Sequence, residues 1–321
     1  MADLLHLVDK PEGWTSHDVV ARMRTILGER RVGHAGTLDP MASGLLIVGE
    51  GRATSLLSCL SMLPKRYLAR ARLGISTDTQ DRTGRVLAER AAIPDRAAVA
   101  STLERFRGLI EQTPPIYSAV KVGGERLYKA ARRGEEVERA ARPVHVYAIS
   151  LVDGTASEAE SPDAAGSEIT LDVTVSRGTY VRTLAHDLGE ALGCGAHLTA
   201  LRRIRSGPYR VEDALSPAKE AAHDAAAFRA RAISPERALS FLPRVRLDAS
   251  ESARLRHGVA PVLTIDRVER SSADDPLPPG EAGWPLALLD DEGALLALAK
   301  PWESQTPGER ASLLRVVGVA A

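Results

Sequence analysis

Apolar positions recur along this chain with two periods, and the switching between them predicts an α/β protein of mixed elements. Val19, Val20, Met23, Ile26 and Leu27 share one face of a helix over residues 18–27, with Ser16 as N-cap and Gly28 just past its end. Leu45-Leu46-Ile47-Val48 is short and rich in branched residues, as a buried strand is, and a helix is expected over 53–63. Tyr67 to Leu73 alternates like a half-buried strand, and residues 74–84, rich in Thr, Asp and Gly, read as a loop. Residues 99–106 read as a helix, Pro114-Pro115 breaks any helix, and residues 123–139 carry charge with helical periodicity. Val144 to Val152 and Ile169 to Val175 read as strands. Leu184, Leu188 and Leu192 make a helix of Thr183 to Leu192, stopped by Gly193.

Elsewhere the pattern fades. Residues 153–167 are rich in Ala, Ser, Glu and Asp, which predicts a flexible acidic surface loop, and the Ala-rich stretch 215–231 predicts helix with little core. Beyond Ser240 the runs become short and β-like. Leu286 to Leu289 and Ala294 to Leu298 flank Asp290-Asp291-Glu292-Gly293, a hairpin signal, and 271–283 is an acidic, Pro-rich loop. A boundary near Ser240 is expected, with a large domain over 1–239 and a small β-rich one over 240–321.

Composition narrows the class. With 321 residues, 44% hydrophobic and 26% charged, the chain can bury a core and is not disordered. The N-terminus carries no basic and apolar leader pattern, and runs such as 293–299 are too short to span a bilayer, so a cytoplasmic protein with no membrane partner is expected. Cys59 and Cys194 lack CxxC partners, which argues against redox or zinc chemistry. Formal net charge is zero, but from Ser240 onward 9 Lys and Arg face 12 Asp and Glu, leaving the preceding body at +3. Three basic clusters stand in that body, each beside a Tyr: Lys65-Arg66 with Arg70 and Arg72; Arg126, Lys129, Arg132 and Arg133; and Arg202, Arg203, Arg205 and Arg210. Repeated clusters of this kind suit an anionic polymer.

Residues 33–44 hold one His, one carboxylate and three Gly among small side chains, so a backbone can approach a ligand there while Asp39 projects from a tight turn. On its own this describes a common Asp-Pro turn, and the glycines match neither a P-loop nor a dinucleotide fingerprint. The segment Gly-His-Ala-Gly-Thr-Leu-Asp-Pro-Met-Ala-Ser-Gly-Leu-Leu from Gly33 to Leu46 closely resembles the signature of TruB-family pseudouridine synthases. The resemblance continues through Lys10-Pro11, Gly13 to Ser16, Lys65-Arg66-Tyr67, Thr77-Asp78-Thr79 with Asp81, QTPPIYSAVK from Gln112 to Lys121, Ser176 to Leu184 and Gly195 to Arg203. It covers the first 210 residues or so, and Leu255 to Gly258 resembles more faintly the PUA module common in these enzymes.

The resemblance implies a pseudouridine synthase fold: a mixed, largely antiparallel central sheet flanked by helices and loops, plus a small C-terminal β-rich PUA-like domain. It implies Asp39 as catalytic carboxylate, Arg182 as the guanidinium that holds it, and Tyr67 stacked on the target uracil near C5. Tyr180 and Leu201 would line the uridine pocket, Asp81 would be a polar partner in it, Lys10 would join the substrate-binding set, and His34 would help extrude the base. Asp78 would instead shape its turn. Residues 107–142 would form an insertion that grips RNA, and the expected partner is the T stem-loop of tRNA, bound by a monomer without guide RNA, metal or cofactor.

The chemistry breaks the N1 to C1′ bond of a uridine, turns the uracil and rejoins it through C5. Asp39 could attack C1′, stabilise positive charge there, or remove the 2′ hydrogen to give a glycal, and the residues leave these routes open. Rival readings are a non-catalytic RNA-binding protein, which intact Asp39, Tyr67 and Arg182 disfavour, and a guide-RNA-dependent relative, which the lack of long basic tails disfavours. A glycosidase or transglycosylase would want a second acid or a zinc site that the sequence does not offer.

Overall fold

A computed structural model describes residues 3–116, 121–122, 125–126, 139–152, 168–218, 224–269, 283–306 and 308–317. The charged stretch over 123–139, the acidic loop over 153–167 and the Pro-rich loop over 271–283 lie almost wholly outside the described residues. The first strands are β1 (Leu5–Lys10), β2 (Val32–Ala35), β3 (Ala42–Glu50), β4 (Lys65–Leu73), β5 (Ile75–Thr77) and β6 (Val86–Glu89). Then come β7 (Gly108–Gln112), β8 (Lys121–Val122), β9 (Glu125–Arg126), β10 (Arg142–Leu151), β11 (Glu168–Val175), β12 (Ala196–Ser206) and β13 (Tyr209–Arg210). The last four are β14 (Arg244–Arg246), β15 (Leu286–Leu289), β16 (Leu295–Ala299) and β17 (Leu313–Val316).

The chain divides into two compact units. One comprises Pro40–Gly44 and Pro64–Ser206, the other Met1–Asp39, Leu45–Leu63 and Gly207–Ala321. In the first unit the sheet runs β3-β12-β4-β11-β10-β7, antiparallel at every pairing except the parallel β3–β12 contact, the mixed and largely antiparallel sheet expected. Alternation along β4 buries Lys65, Tyr67, Ala69, Ala71 and Leu73 and turns Arg66 and Arg70 to the opposite face. There Arg66 grips Asp172 of β11 with two N–H groups, and Arg70 pairs with Glu168. Leu171, Val173 and Val175 extend the buried face. Helix Val181–Ala191 packs on β12 with Leu184, Ala185 and Leu188 buried, each leucine contributing roughly 1.5–3 kcal/mol. Leu192 stands just beyond the helix as its C-cap.

In the second unit β2 and β3 form an antiparallel ladder in which His34 lies opposite Val48. Helix Ser16–Leu27 lays Val19, Val20 and Met23 against Val8, Leu46 and Val48, and Gly28 ends it in the left-handed conformation at φ 64°. Its N-cap is Thr15 rather than Ser16. Thr15 and Asp18 form a reciprocal capping box, while the Ser16 hydroxyl is turned inward to other work. The helix expected over 53–63 is a 3-10 turn, Gly51–Leu56, followed by the short α-helix Leu57–Ser61. The Thr54 hydroxyl donates to the Gly51 carbonyl at 2.7 Å, which favours the tighter turn. The Ala-rich stretch is helical among the described residues only over Ala225–Ala230. Leu215 is extended instead, its backbone bonded to Leu7 and Asp9 of β1.

Three further boundaries differ from expectation. Residues 75–77 of the expected loop form β5, paired with β6. The helix expected from 99 begins at Arg96 under an Asp95 N-cap, and its last residues, Glu104–Phe106, tighten into a 3-10 turn. Beyond residue 240, β14 pairs parallel with β15, which forms the expected hairpin with β16, and β17 completes a four-stranded sheet. Leu286, Leu288, Leu296 and Ala297 bury one face of it with Val245 and Leu255. Ala287, Leu289, Leu295 and Leu298 pack the other with Leu5, Ile47, Leu56 and Leu60.

Gly44 is where backbone geometry is most demanding. It sits at φ 102°, and a Cβ added to it would lie 2.3 Å from the Arg203 carbonyl oxygen of β12. Only a residue without a side chain lets β3 approach β12 there. Gly44→Ala should therefore destabilise the protein by about 2–5 kcal/mol, combining left-handed strain with overpacking. Urea unfolding measures this, and an unchanged midpoint would refute it.

Candidate active site

Asp39 owes its place to a residue far upstream. Ser16, buried at the start of its helix, accepts from the Leu38 amide at 2.8 Å and donates to the Leu38 carbonyl at 3.1 Å, so one hydroxyl pins both polar groups of that residue. Leu38 is itself buried, and Asp39 follows it half-buried, before Pro40 and the start of β3. Ser16 thus shapes the carboxylate's turn. His34 stands five residues earlier on β2, half-buried. Lys10, at the end of β1, is fully buried, and its ammonium donates to the carbonyls of Pro11 at 3.0 Å and Trp14 at 2.5 Å. These three residues belong to one compact unit.

Tyr67, Asp81, Tyr180, Arg182 and Leu201 belong to the other. Asp81 is the hub of the loop after β5. Its Oδ1 accepts from the Thr79 hydroxyl at 2.8 Å and from the Thr83 amide and hydroxyl at 2.9 and 2.6 Å, and its Oδ2 faces Arg182 Nη1 at 3.3 Å. Arg182 also donates to the Thr79 carbonyl at 3.0 Å, and both side chains of the ion pair are 5% exposed. Removing Arg182 would leave the buried Asp81 carboxylate without its cation, a loss of about 3–5 kcal/mol in such pairs. Asp78 does shape its turn, accepting from the Arg85 amide at 2.9 Å.

Tyr180 is the N-cap of the helix that carries Arg182, and its backbone is held from both sides by Gln112, the last residue of β7. The Tyr180 amide donates to Gln112 Oε1 at 2.8 Å and its carbonyl accepts from Gln112 Nε2 at 3.1 Å. Gln112 therefore acts as a buried bracket for Tyr180. Leu201 lies opposite Ala69 of β4 and Ala42 of β3, on the buried face. Tyr67 lies opposite Arg203, whose Nη1 reaches its hydroxyl at 3.5 Å.

Ser16, which holds Leu38, Gln112, which holds Tyr180, and Arg203, which reaches Tyr67, are residues that motif reading left without a role. Of these, Arg203 carried a signal, since it is two residues from Leu201 on an alternating strand and hence on the same face; Lys65 stands likewise to Tyr67. Gln80 gave none. It adopts φ 62°, its carbonyl accepts from the Leu198 amide, and its side chain accepts from the Thr183 hydroxyl, lacing the Asp81 loop to β12 and to the helix. Among the described residues no group of three His, Cys, Asp or Glu is placed to hold a metal. No helix among them is long and apolar enough to cross a membrane.

Lys65 is a buried amine whose pKa is pushed down to about 7, first by burial and then by the cations of Arg203 and Arg177. Below about pH 7 the folded protein must hold this ammonium out of water. Between that value and the ordinary lysine value near ~10.4 it sheds a proton the unfolded chain keeps, so its contribution to stability grows with pH across that window. Lys65→Met should raise the melting temperature, and by more near about pH 6 than near about pH 9. Equal gains at both values in thermal melts would contradict the burial of a charge.

Comparison with known proteins places these features in a family. The model of the TruB family pseudouridylate synthase N-terminal domain matches residues 24–181, and that of the tRNA pseudouridylate synthase B C-terminal domain matches 182–240. The chain is 47% identical over 301 residues to tRNA pseudouridine synthase B of Thermobifida fusca, covering 94% of this chain and 95% of that one. It is 48% identical over 255 residues to the protein of that name from Symbiobacterium thermophilum, covering 79% and 81%. Among solved structures it resembles a chain of a Cbf5-Nop10-Gar1 complex, with a TM-score of 0.71 at 28% identity over 98% of this chain and 85% of that one. A chain of an H/ACA RNP bound to a substrate RNA containing 2′-deoxyuridine gives 0.66 at 25% identity, over 98% and 84%. The chain belongs to the TruB family of pseudouridylate synthases.

Proposed function

We propose that this protein isomerises the uridine at position 55 in the T loop of tRNA to pseudouridine, working in the cytoplasm as a monomer without guide RNA, metal or cofactor. The observation that carries this reading is the Gly33 to Leu46 signature. It folds as a strand, a turn and a strand with Asp39 fixed beside the Ser16-anchored Leu38, in a chain nearly half identical to a named tRNA pseudouridine synthase over almost its whole length. The relatives of that name are 40–48% identical, against 25–28% for chains from the guide-RNA assemblies, which favours stand-alone action.

Asp39 is assigned the chemistry at C1′ and Arg182 the cation paired with it, as the family resemblance gives them. Tyr67, Tyr180 and Leu201 receive the uracil, Asp81 fixes the pocket's polar loop, and His34 helps extrude the base. Lys10 acts through the turn whose carbonyls it binds. Residues 1–239 form the catalytic domain, with 107–142 gripping RNA, and 240–321 form a PUA-like RNA-binding domain. The four-stranded sheet that β14 to β17 form apart from the larger sheet is what supports a C-terminal module.

Purified protein given an unmodified tRNA transcript alone should produce pseudouridine at that one position, and Asp39→Asn should produce none. Mapping of the product decides it: no product with wild type, or equal product with Asp39→Asn, removes the assignment. Tyr67→Phe keeps the ring and deletes the hydroxyl. It should bind tRNA normally and lose at least about a hundredfold in turnover, the scale of general acid–base catalysis. Turnover equal to wild type would show that the hydroxyl moves no proton.

A further inference from the structure

Arg203 is an expensive residue for its position. Its guanidinium points into the buried face of the sheet, 2% exposed, where an aliphatic side chain would pack without the several kcal/mol that desolvating a charge costs. Its backbone is held on both sides, opposite Tyr67 in the antiparallel β4–β12 ladder and opposite Gly44 in the parallel β12–β3 ladder. The substitution-intolerant contact at Gly44 keeps that second neighbour close. A cation so fixed has a defined aim, and Nη1 lies 3.5 Å from the Tyr67 hydroxyl oxygen.

A guanidinium has five donors and no acceptor, so in this contact the phenol oxygen can only accept. The hydroxyl hydrogen must then point away from Arg203. The surroundings add to the same field: Lys65, two residues before Tyr67 on the same face, feels both Arg203 and Arg177 as repelling cations. Packing gives no reason to bury two basic side chains, Arg203 and Lys65, on the face of the sheet that holds Tyr67. A phenol oxygen that gains negative charge during a reaction does.

We infer that Arg203 is a positioning residue for the isomerisation, holding the Tyr67 oxygen and stabilising charge on it while that oxygen takes the proton from C5 of the rejoined uracil. This rests on the proposed reading, in which Tyr67 meets the uracil. Once C5 is bonded to C1′ it carries both its hydrogen and the new carbon. The hydroxyl hydrogen of Tyr67 first passes to water, leaving a phenolate beside Arg203; the C5 proton then passes to that oxygen, the C5–H pair becomes the C5–C6 double bond, and the pair of the N1–C6 double bond takes a proton at N1 from water. One proton leaves the base and one arrives, so no oxidant or reductant is needed. Arg203 keeps its proton throughout and supplies a fixed, charge-assisted donor, roughly twice as strong as a neutral one.

The test uses the full-length protein and a tRNA transcript made with uridine that carries hydrogen or deuterium at C5. Arg203→Met should lower kcat at least tenfold with KM for tRNA within about threefold, and the deuterium effect on kcat should rise as proton removal becomes limiting. Arg203→Lys, which keeps a donor, should recover part of the loss. In a Tyr67→Phe background, Arg203→Met should cost little more, because the oxygen it serves is gone. Unchanged kcat in both Arg203 variants, or slow turnover with no rise in the isotope effect, would overturn the inference. Should Arg203→Met fail to fold, Arg203→Lys alone carries the same two readouts. Wild-type protein that makes no pseudouridine would instead remove the reading beneath it, a distinguishable result.

Discussion

The antiparallel pairing of β4 with β12 is the constraint on which the rest of the candidate site depends. Side chains alternate along both strands, so the register decides which of an unusually basic pair of segments faces the core and which faces outward. As formed, Tyr67 and Lys65 turn inward with Leu201 and Arg203, while Arg66 and Arg70 turn outward to Asp172 and Glu168. A slip of one residue would exchange these sets and bury the wrong arginines. Two irregularities in β12, between Leu198 and Ala200 and between Arg203 and Arg205, adjust its alternation locally, and Gly44 admits β3 on its other side.

Within each unit the polar groups are held by nearby amides, carbonyls and hydroxyls rather than by one another's charges alone. Asp81 takes three donors from Thr79 and Thr83 before it meets Arg182, and Arg182 is anchored to the Thr79 carbonyl. Gln112 clasps both backbone groups of Tyr180, and Ser16 does the same for Leu38. Gln112 thus holds Tyr180 by its own backbone, and Ser16 holds the residue just before Asp39. Rigid supports of this kind determine how closely a catalytic group keeps its geometry.

Much of this was legible in the chain, because the signals were local. The 3.6-residue stripe of Val19 to Leu27 and the alternation of Tyr67 to Leu73 survive unchanged in the fold, as does the hairpin at Asp290 to Gly293. The motif segments gave the family before any contact was known. What was not legible required partners distant in sequence: the Ser16 hydroxyl serves Leu38 instead of capping its helix, and Leu215 pairs with β1 instead of extending an Ala-rich helix. Ala-rich composition reports propensity, and β1's unpaired edge outweighs it at Leu215. The three basic clusters suggested an anionic partner, but only the register reveals that two of them each split between a buried and an outward face.

That split bears on how an isomerase of this kind can work. Uridine and pseudouridine have the same atoms and the same oxidation state, so the protein must supply placement, charge and proton traffic rather than reducing equivalents. Glycosidic cleavage asks for a carboxylate, which a turn like that of Asp39 can present. The later loss of the C5 proton asks for something else: an oxygen that can carry negative charge briefly in a place where water is scarce. A tyrosine meets this need only if cations are already in position, since reorganising solvent around a buried oxygen would add to the barrier. Burying Lys65 costs stability, and its lowered pKa is the sign of that cost. The outward arginines of the same strands carry no such cost, being half-exposed and paired with carboxylates. A sequence that places its cations on both faces of one sheet accordingly serves two ends with one repeating pattern, solvation outside and preorganised charge within.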